Sequence, residues 1–234
     1  MLRRALLTTF TAAWAGAAAA ADMPYDAAPA YASAPIFSWT GFYLGGQIGY
    51  AWATNTLTGY GPYYAYSGVS YGPNGVVGGA HVGYNYQMNQ FVLGLEGDVE
   101  GSGVSQNYGS GPTIYRTSIP VQGTIRGRFG FALDRALLYV TGGAAFAGVN
   151  TSYQSWMGYD SLSRSSAGWT IGGGLEYAIT PEWSARAEYR YTDLGAFTDY
   201  VSAPGPGSSV TNHLTSHTVR LGFSYRFASP LFGR

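Results

Sequence analysis

The chain has 234 residues, of which 46% are hydrophobic, 16% aromatic and only 10% charged, with a formal net charge of zero and no Cys. Ordinary soluble domains are about 25% charged, so this surface does not face water throughout. The missing Cys excludes disulfide frameworks and thiolate metal sites, zero charge leaves no footprint for nucleic acid, and a mean hydropathy of −0.03 excludes a helical membrane bundle.

Met1 to Ala21 reads as a cleaved export signal. Arg3 and Arg4 supply the charge, Ala5 to Trp14 the apolar stretch, and Ala17 to Ala21 the small residues for cleavage. A membrane helix needs roughly 20 predominantly apolar residues, and this Ala-rich run is shorter. Cleavage leaves ten Arg against twelve acids, a charge of −2. Residues 22–38 form an Ala/Pro-rich periplasmic leader, 39–227 the folded body and 228–234 a tail.

The body alternates with period two, the signature of strands whose faces differ. Eight segments stand out. Gly41 to Ala53 sets Phe42, Leu44, Ile48, Tyr50 and Trp52 against Tyr43, Gln47 and Ala51. Val76 to Gln87 sets Val82, Tyr84 and Tyr86 against His81, Asn85 and Gln87. Phe91 to Gly101 sets Phe91, Leu93, Leu95 and Val99 against Glu96, Asp98 and Glu100. Ser118 to Ala132 sets Ile119, Val121, Ile125, Phe129 and Phe131 against Gln122, Thr124, Arg126 and Arg128. Ala136 to Val149 sets Leu138, Val140 and Phe146 against Tyr139, Thr141 and Gly143. Gly168 to Ile179 sets Trp169, Ile171, Leu175 and Tyr177 against Thr170 and Glu176. Trp183 to Thr192 sets Trp183, Tyr189 and Tyr191 against Arg186, Glu188 and Arg190. Ser216 to Phe227 sets Val219, Leu221, Phe223, Tyr225 and Phe227 against Arg220, Ser224 and Arg226.

Each segment is long enough for the roughly 9–11 residues of a tilted membrane strand. Long connections (54–75, 102–117, 150–167, 193–215) alternate with short turns at Met88-Asn89, Asp134-Arg135 and 180–182. A soluble sandwich also alternates, but its polar face is rich in Lys and Glu; here all twelve cations are Arg. The pattern predicts an all-β, eight-stranded antiparallel up-and-down barrel in the outer membrane, with short periplasmic turns and long external loops. Lipid offers unpaired backbone no partner, so the sheet must close.

The predicted lumen holds five acids (Glu96, Asp98, Glu100, Glu176, Glu188) against six Arg (126, 128, 186, 190, 220, 226), with His81 nearby. Arg suits this setting because its planar fork binds carboxylates through two hydrogen bonds. Turn parity sets Glu176 opposite Arg186, His81 opposite Glu96, Arg126 opposite Gly143 and Arg128 opposite Thr141. Small neighbours leave both guanidinium groups room to reach the acids of the third segment. Such a cluster is either a salt-bridged plug that rigidifies the wall or a gated path for ions or small solutes.

His81, His213 and His217 lack metal-site spacing, and the paired glycines lack the residues of a phosphate loop. Ser216-His217 lies on one strand, where adjacent side chains face opposite ways, so no hydrolase site and no cofactor are expected. The loops carry candidate recognition aromatics: Tyr60, Tyr63, Tyr64, Tyr66 and Tyr71, then Tyr153, Trp156 and Tyr159. These offer an adhesive reading, with host or other surface ligands as partners; the oligomeric state is open.

The stretch Phe37-Ser38-Trp39-Thr40-Gly41-Phe42-Tyr43-Leu44-Gly45-Gly46-Gln47-Ile48-Gly49-Tyr50-Ala51-Trp52 resembles the first strand of alphaproteobacterial outer-membrane immunogenic proteins, which are small, opacity-like, porin-like barrels. Ala21-Asp22-Met23-Pro24 resembles their mature start, Arg186 to Gly195 their penultimate strand, and His217 to Phe227 their last. The resemblance implies a role in envelope integrity and surface contact, with no shared catalytic site. It also implies a terminal aromatic read by the barrel-insertion machinery. Phe227 keeps the strand phase and is the expected signal, although Ala228 to Arg234 follow it.

Overall fold

A computed structural model of the chain describes residues 37–227 except 63, 111–112, 157 and 203–205. The expected signal, most of the leader and the tail lie outside the described residues. Nine antiparallel strands are present: β1 (Gly41–Gly61), β2 (Tyr64–Tyr71), β3 (Asn74–Met88), β4 (Phe91–Ser110), β5 (Thr113–Leu133), β6 (Ala136–Ser155), β7 (Gly158–Ala178), β8 (Trp183–Val201) and β9 (Ser208–Arg226). From β3 to β9 each strand pairs with the next, and β9 returns to β1 from Tyr43↔Arg226 to Tyr60↔Ser209. β3 covers residues 41–52 of β1 and β2 covers residues 55–61. β2 and β3 are therefore one wall strand, interrupted at Gly72-Pro73, where Pro73 has no N–H for a ladder. The wall closes with eight members.

The two-residue turns centre on residues that tolerate positive φ. Asn89 has φ 56° and Asp134 φ 52°. Asp134 opens its turn as expected and leaves Arg126 opposite Gly143 and Arg128 opposite Thr141. The other turn is Asn89-Gln90, not Met88-Asn89, because Asn rather than Met takes the left-handed first position. His81 consequently faces Asp98 rather than Glu96.

The strands run well past the predicted segments. β1, β5 and β7 have 21 residues each, about twice what a membrane strand needs. Most of the stretches expected to be external loops are strand. They escaped the periodic pattern because the two faces exchange character. On β1 the outward residues change from Ile48, Tyr50 and Trp52 to Thr54, Thr56 and Thr58, while the inward ones change from Gln47 to Leu57. β6 does the same, from Val140 and Phe146 outward to Asn150 and Ser152. Two irregularities also reverse phase. One lies between Ser118 and Val121 of β5 and the other between Asp193 and Ala196 of β8. The first turns Ile119, expected on the lipid face, into the interior at 3% exposure.

Below this exchange the outer face is a continuous apolar band. Phe42, Leu44, Ile48, Val82, Leu95, Ile125, Leu138, Ile171 and Leu221 are each half or more exposed. A water-soluble monomer does not carry an apolar patch running around its whole girth. Aromatic side chains edge the band: Trp183, Tyr225 and Phe227 at the turn end, and Trp52, Trp169 and Tyr191 at the other. This is the lipid-facing zone of a membrane barrel.

Candidate functional site

Strand parity brings ten charged side chains into the lower interior. β4 contributes Glu96, Asp98 and Glu100, and β5 Arg126 and Arg128. β7 contributes Glu176, β8 Arg186, Glu188 and Arg190, and β9 Arg220. None is more than 4% exposed.

Arg126 is the hub. Its Nη2 lies 2.5 Å from Glu96 and 3.1 Å from Asp98, and its Nη1 lies 2.6 Å from Glu188. Glu96 also accepts from Arg186 at 2.5 Å and from the Tyr43 hydroxyl at 2.8 Å. Arg190 joins Asp98 at 3.2 Å to Glu100 at 2.6 Å. Arg220 joins Glu100 at 2.6 Å to Glu188. Gln47 donates to Glu100 and accepts from Arg186, both at 2.6 Å. Arg128 and Glu176 form a separate pair, with Ser184 donating to Glu176 at 2.5 Å. Arg128 stacks on Tyr139 at 3.8 Å, and the Tyr139 hydroxyl donates to Glu188 at 3.0 Å, linking the pair to the ring of charges. Desolvating an ion costs several kcal/mol unless it is paired and hydrogen-bonded, and every one of these acids meets an Arg.

Four expected members behave differently. Arg226 has no carboxylate partner among the described residues. It sits at the barrel mouth, donating to the carbonyls of Ser38 (2.5 Å) and Pro181 and stacking over Phe37 at 4.2 Å. Its strand ends there, below the charged layer. Without it the lower interior balances at five acids and five Arg. His81 points inward and faces Asp98 but bonds Ser224 at 2.9 Å rather than an acid; Asp98 is taken up by Arg126, Arg190 and the Thr124 hydroxyl. Glu176 and Arg186 face each other as expected, yet each bonds elsewhere, to Arg128 and Glu96. Arg126 reaches the third-segment acids, whereas Arg128 crosses to β7.

Sequence reasoning missed what lies above and below the charges. At the turn end Trp39 is 2% exposed and seals the mouth. Its backbone N–H donates to Gln87 (2.7 Å) and its indole to the Asp134 carbonyl (3.2 Å). It packs with Val92, Leu137 and Tyr139. The signal was present, since Trp39 shares the odd, inward phase of Tyr43 and Gln47. Another cluster, largely above the charges, is apolar: Ala51, Ala53, Val77, Val104, Ile119, Ala145, Ala147, Val149, Leu194 and Leu214. Every wall strand but β7 contributes to it. Higher still, Tyr71, Tyr115 and Tyr153 pack with Leu57, Val201 and Val210 around a polar centre. There Asp199 accepts from Tyr153 at 2.9 Å, and Asn55 donates to Tyr71 at 3.0 Å and to Asn212 at 2.9 Å.

Two of the candidate recognition aromatics therefore belong to the interior. Tyr71 is 7% and Tyr153 1% exposed, and burial pushes both phenols above their usual pKa. Their strands continue where loops were expected, so parity turns them inward. Tyr60, Trp156 and Tyr159 are exposed at 73%, 79% and 64%. Tyr63 and the side chains of Tyr64 and Tyr66 lie outside the described residues.

Residues 7–227 match the family described as "Outer membrane protein beta-barrel domain". The chain belongs to the outer-membrane β-barrel protein family. It is 33% identical to the 31 kDa outer-membrane immunogenic protein of Brucella melitensis over 97% of this chain and 100% of that one. It is also 33% identical to the 22 kDa outer membrane protein of Rhizobium leguminosarum bv. viciae, over 82% and 80%. OprG of Pseudomonas aeruginosa aligns with a TM-score of 0.49 at 12% identity, covering 81% of this chain and 97% of that one. As an outer-membrane barrel, the protein sits in the outer membrane, with its apolar band in the lipid. Barrels of this kind turn their short connections to the periplasm and extend long elements outward, which places Trp39 at the periplasmic mouth.

Proposed function

We propose that this outer-membrane barrel is a non-conducting, non-catalytic wall element that supports envelope integrity and presents an outward surface for contact. The occupied interior carries this reading: Trp39, the balanced charges, the apolar cluster and the tyrosine layer succeed one another up the lumen. An ion would have to part Arg–carboxylate pairs and then cross a layer of Ala, Val, Ile and Leu. Ser216 faces inward while His217 faces out against Tyr189 and Trp52, which supports the absence of a hydrolase pair.

In planar bilayers the refolded protein is expected to give no steady openings. Steady openings abolished by neutralising Arg126 or Arg186 would refute the plug and establish the gated-channel reading. The exposed Tyr60, Trp156 and Tyr159 near the outer tips support the contact role.

Phe227 serves in this reading as the mark recognised by the insertion machinery, after export directed by the N-terminal signal. It continues the apolar phase of Phe223 and Tyr225, packs on Tyr225 at 5.1 Å and donates its N–H to Phe42 at 2.9 Å. Phe227→Ala is expected to lower the outer-membrane yield severalfold, and Phe232→Ala to leave it unchanged. The reverse result would move the signal to the tail.

A further inference from the structure

Outside the lumen, three depressions follow one another up the outer face of β1 and β3 to β7. The first is an apolar groove of about 480 Å³ in the lipid zone, lined by Leu44, Ala80, Val82, Gly97, Ile125 and Phe146 among others. The second, about 250 Å³, shares Val99, Gly123 and Phe146 with the first and rises past Val121 and Gly148 to Ser165. The third, also about 250 Å³, is polar: Arg116, Ser118, Asn150, Thr151, Ser152, Tyr159 and Ser161. The ladders place the second and third on one line. Val121 pairs with Gly148 and Gly148 with Ser165; Arg116 pairs with Ser152 and Ser152 with Ser161.

The track has the shape and polarity of a single amphiphile. Its lower part is hollow because Ala80, Gly97 and Gly123 stand where neighbouring positions carry Val, Leu or Ile. Its upper part holds one exposed guanidinium, and Arg116 makes no ion pair among the described residues. The rest of that outward face is hydroxyl-rich and uncharged, with Ser105, Asn107, Ser118, Asn150, Ser161 and Ser163 all near the cleft.

We infer that this track binds an anionic glycolipid of the outer leaflet, with an acyl chain in the groove and a phosphorylated saccharide against Arg116. Height selects the saccharide. Ser152 lies six residues beyond Phe146, roughly 20 Å along a strand and, at barrel tilt, about 15 Å above the lipid zone's last aromatic. A glycerol phosphate does not reach that far from its acyl chains, whereas a headgroup of linked sugars does. The hydroxyl and amide groups suit sugar hydroxyls, exposed Tyr159 offers a ring face, and Arg116 provides the fork for a phosphate.

The test uses the full chain refolded into nanodiscs of phosphatidylcholine with a minority of rough lipopolysaccharide that carries a phosphorylated core saccharide. Native mass spectrometry reads the lipid retained per barrel. A second arm replaces the lipopolysaccharide by phosphatidylglycerol, and a third offers the deacylated phosphosaccharide. The lipopolysaccharide is expected to be retained in preference to phosphatidylglycerol, with the deacylated compound much weaker. Arg116→Gln and Ala80→Trp are each expected to reduce retention roughly tenfold. Both positions face outward, and heat-modifiable migration on gels verifies folding; Ala80→Leu replaces the Trp variant if that one does not assemble. Equal retention of phosphatidylglycerol would overturn the saccharide assignment. Unchanged retention in both variants would overturn the site. Neither outcome bears on conductance, so the lumen plug stands or falls separately.

Discussion

Replacing Arg126 by Leu is expected to lower the unfolding free energy by about 3–5 kcal/mol, because it leaves buried carboxylates without their cation. Arg126 touches Glu96, Asp98 and Glu188 at 2.5, 3.1 and 2.6 Å. Glu96 keeps Arg186, and Glu188 keeps Arg220, but three negative charges then share fewer positive ones in a site closed to water. Arg126→Lys is expected to recover little, since one ammonium cannot reach Glu96 and Glu188 with separate nitrogens. The contrasting experiment is the double change Arg128→Met with Glu176→Met. Each is the other's ion partner among the described residues, so removing both leaves no orphan charge, and the cost is expected near zero. Urea unfolding in lipid vesicles, followed by heat-modifiable migration, measures all three. An Arg126→Leu barrel as stable as the parent would show that the charges do not brace the wall.

Gly143→Ala is the second large effect, about 1–3 kcal/mol from overpacking. Gly143 faces Arg126 across the β5–β6 ladder. A Cβ there would stand 2.1 Å from the Ile125 carbonyl oxygen and 2.7 Å from the Arg126 Cα. Both are backbone atoms, so the strands themselves must part, and the hub guanidinium moves with them. Gly46→Ala is the control. Its Cβ would meet only the Gly79 carbonyl oxygen at 3.9 Å, and its cost is expected below about 0.5 kcal/mol, as for a surface substitution. The same unfolding assay reads both, and equal behaviour of the two variants would refute the steric account.

The membrane zone of the fold was legible because alternation is strongest where lipid and charge face each other across one strand. Glu96, Asp98 and Glu100 alternating with Leu95 and Val99 define β4's faces without ambiguity. The ten buried charges were legible for the same reason, since parity alone sends them inward. Register was legible at two of the three short turns: Asp134 gave it for β5 and β6 and the 180–182 turn for β7 and β8, whereas Met88-Asn89-Gln90 offered two frames that differ by one turn position. The upper strands were illegible because both faces there are mild, with Thr outside and Ala, Asn or Leu inside. Pro120 and Gly195 then reverse the phase midway along β5 and β8. The plug at Trp39 was overlooked because it precedes the first strand, although its parity already pointed inward.

The exchange of faces along β1, β4 to β7 and β9 has a consequence for where the barrel floats. Thr54 pairs with Thr215, and Ser105, Ser118, Asn150 and Ser163 follow one another across β4 to β7. These residues act as a waterline. Sinking the barrel by two residues, about 7 Å of strand, would drag this hydroxyl row into hydrocarbon, at about 1–3 kcal/mol for each group left unbonded. Raising it by the same amount would lift Trp52, Phe146 and Trp169 out of the hydrocarbon. Immersion depth is thus written redundantly around the circumference, and no single substitution can reset it.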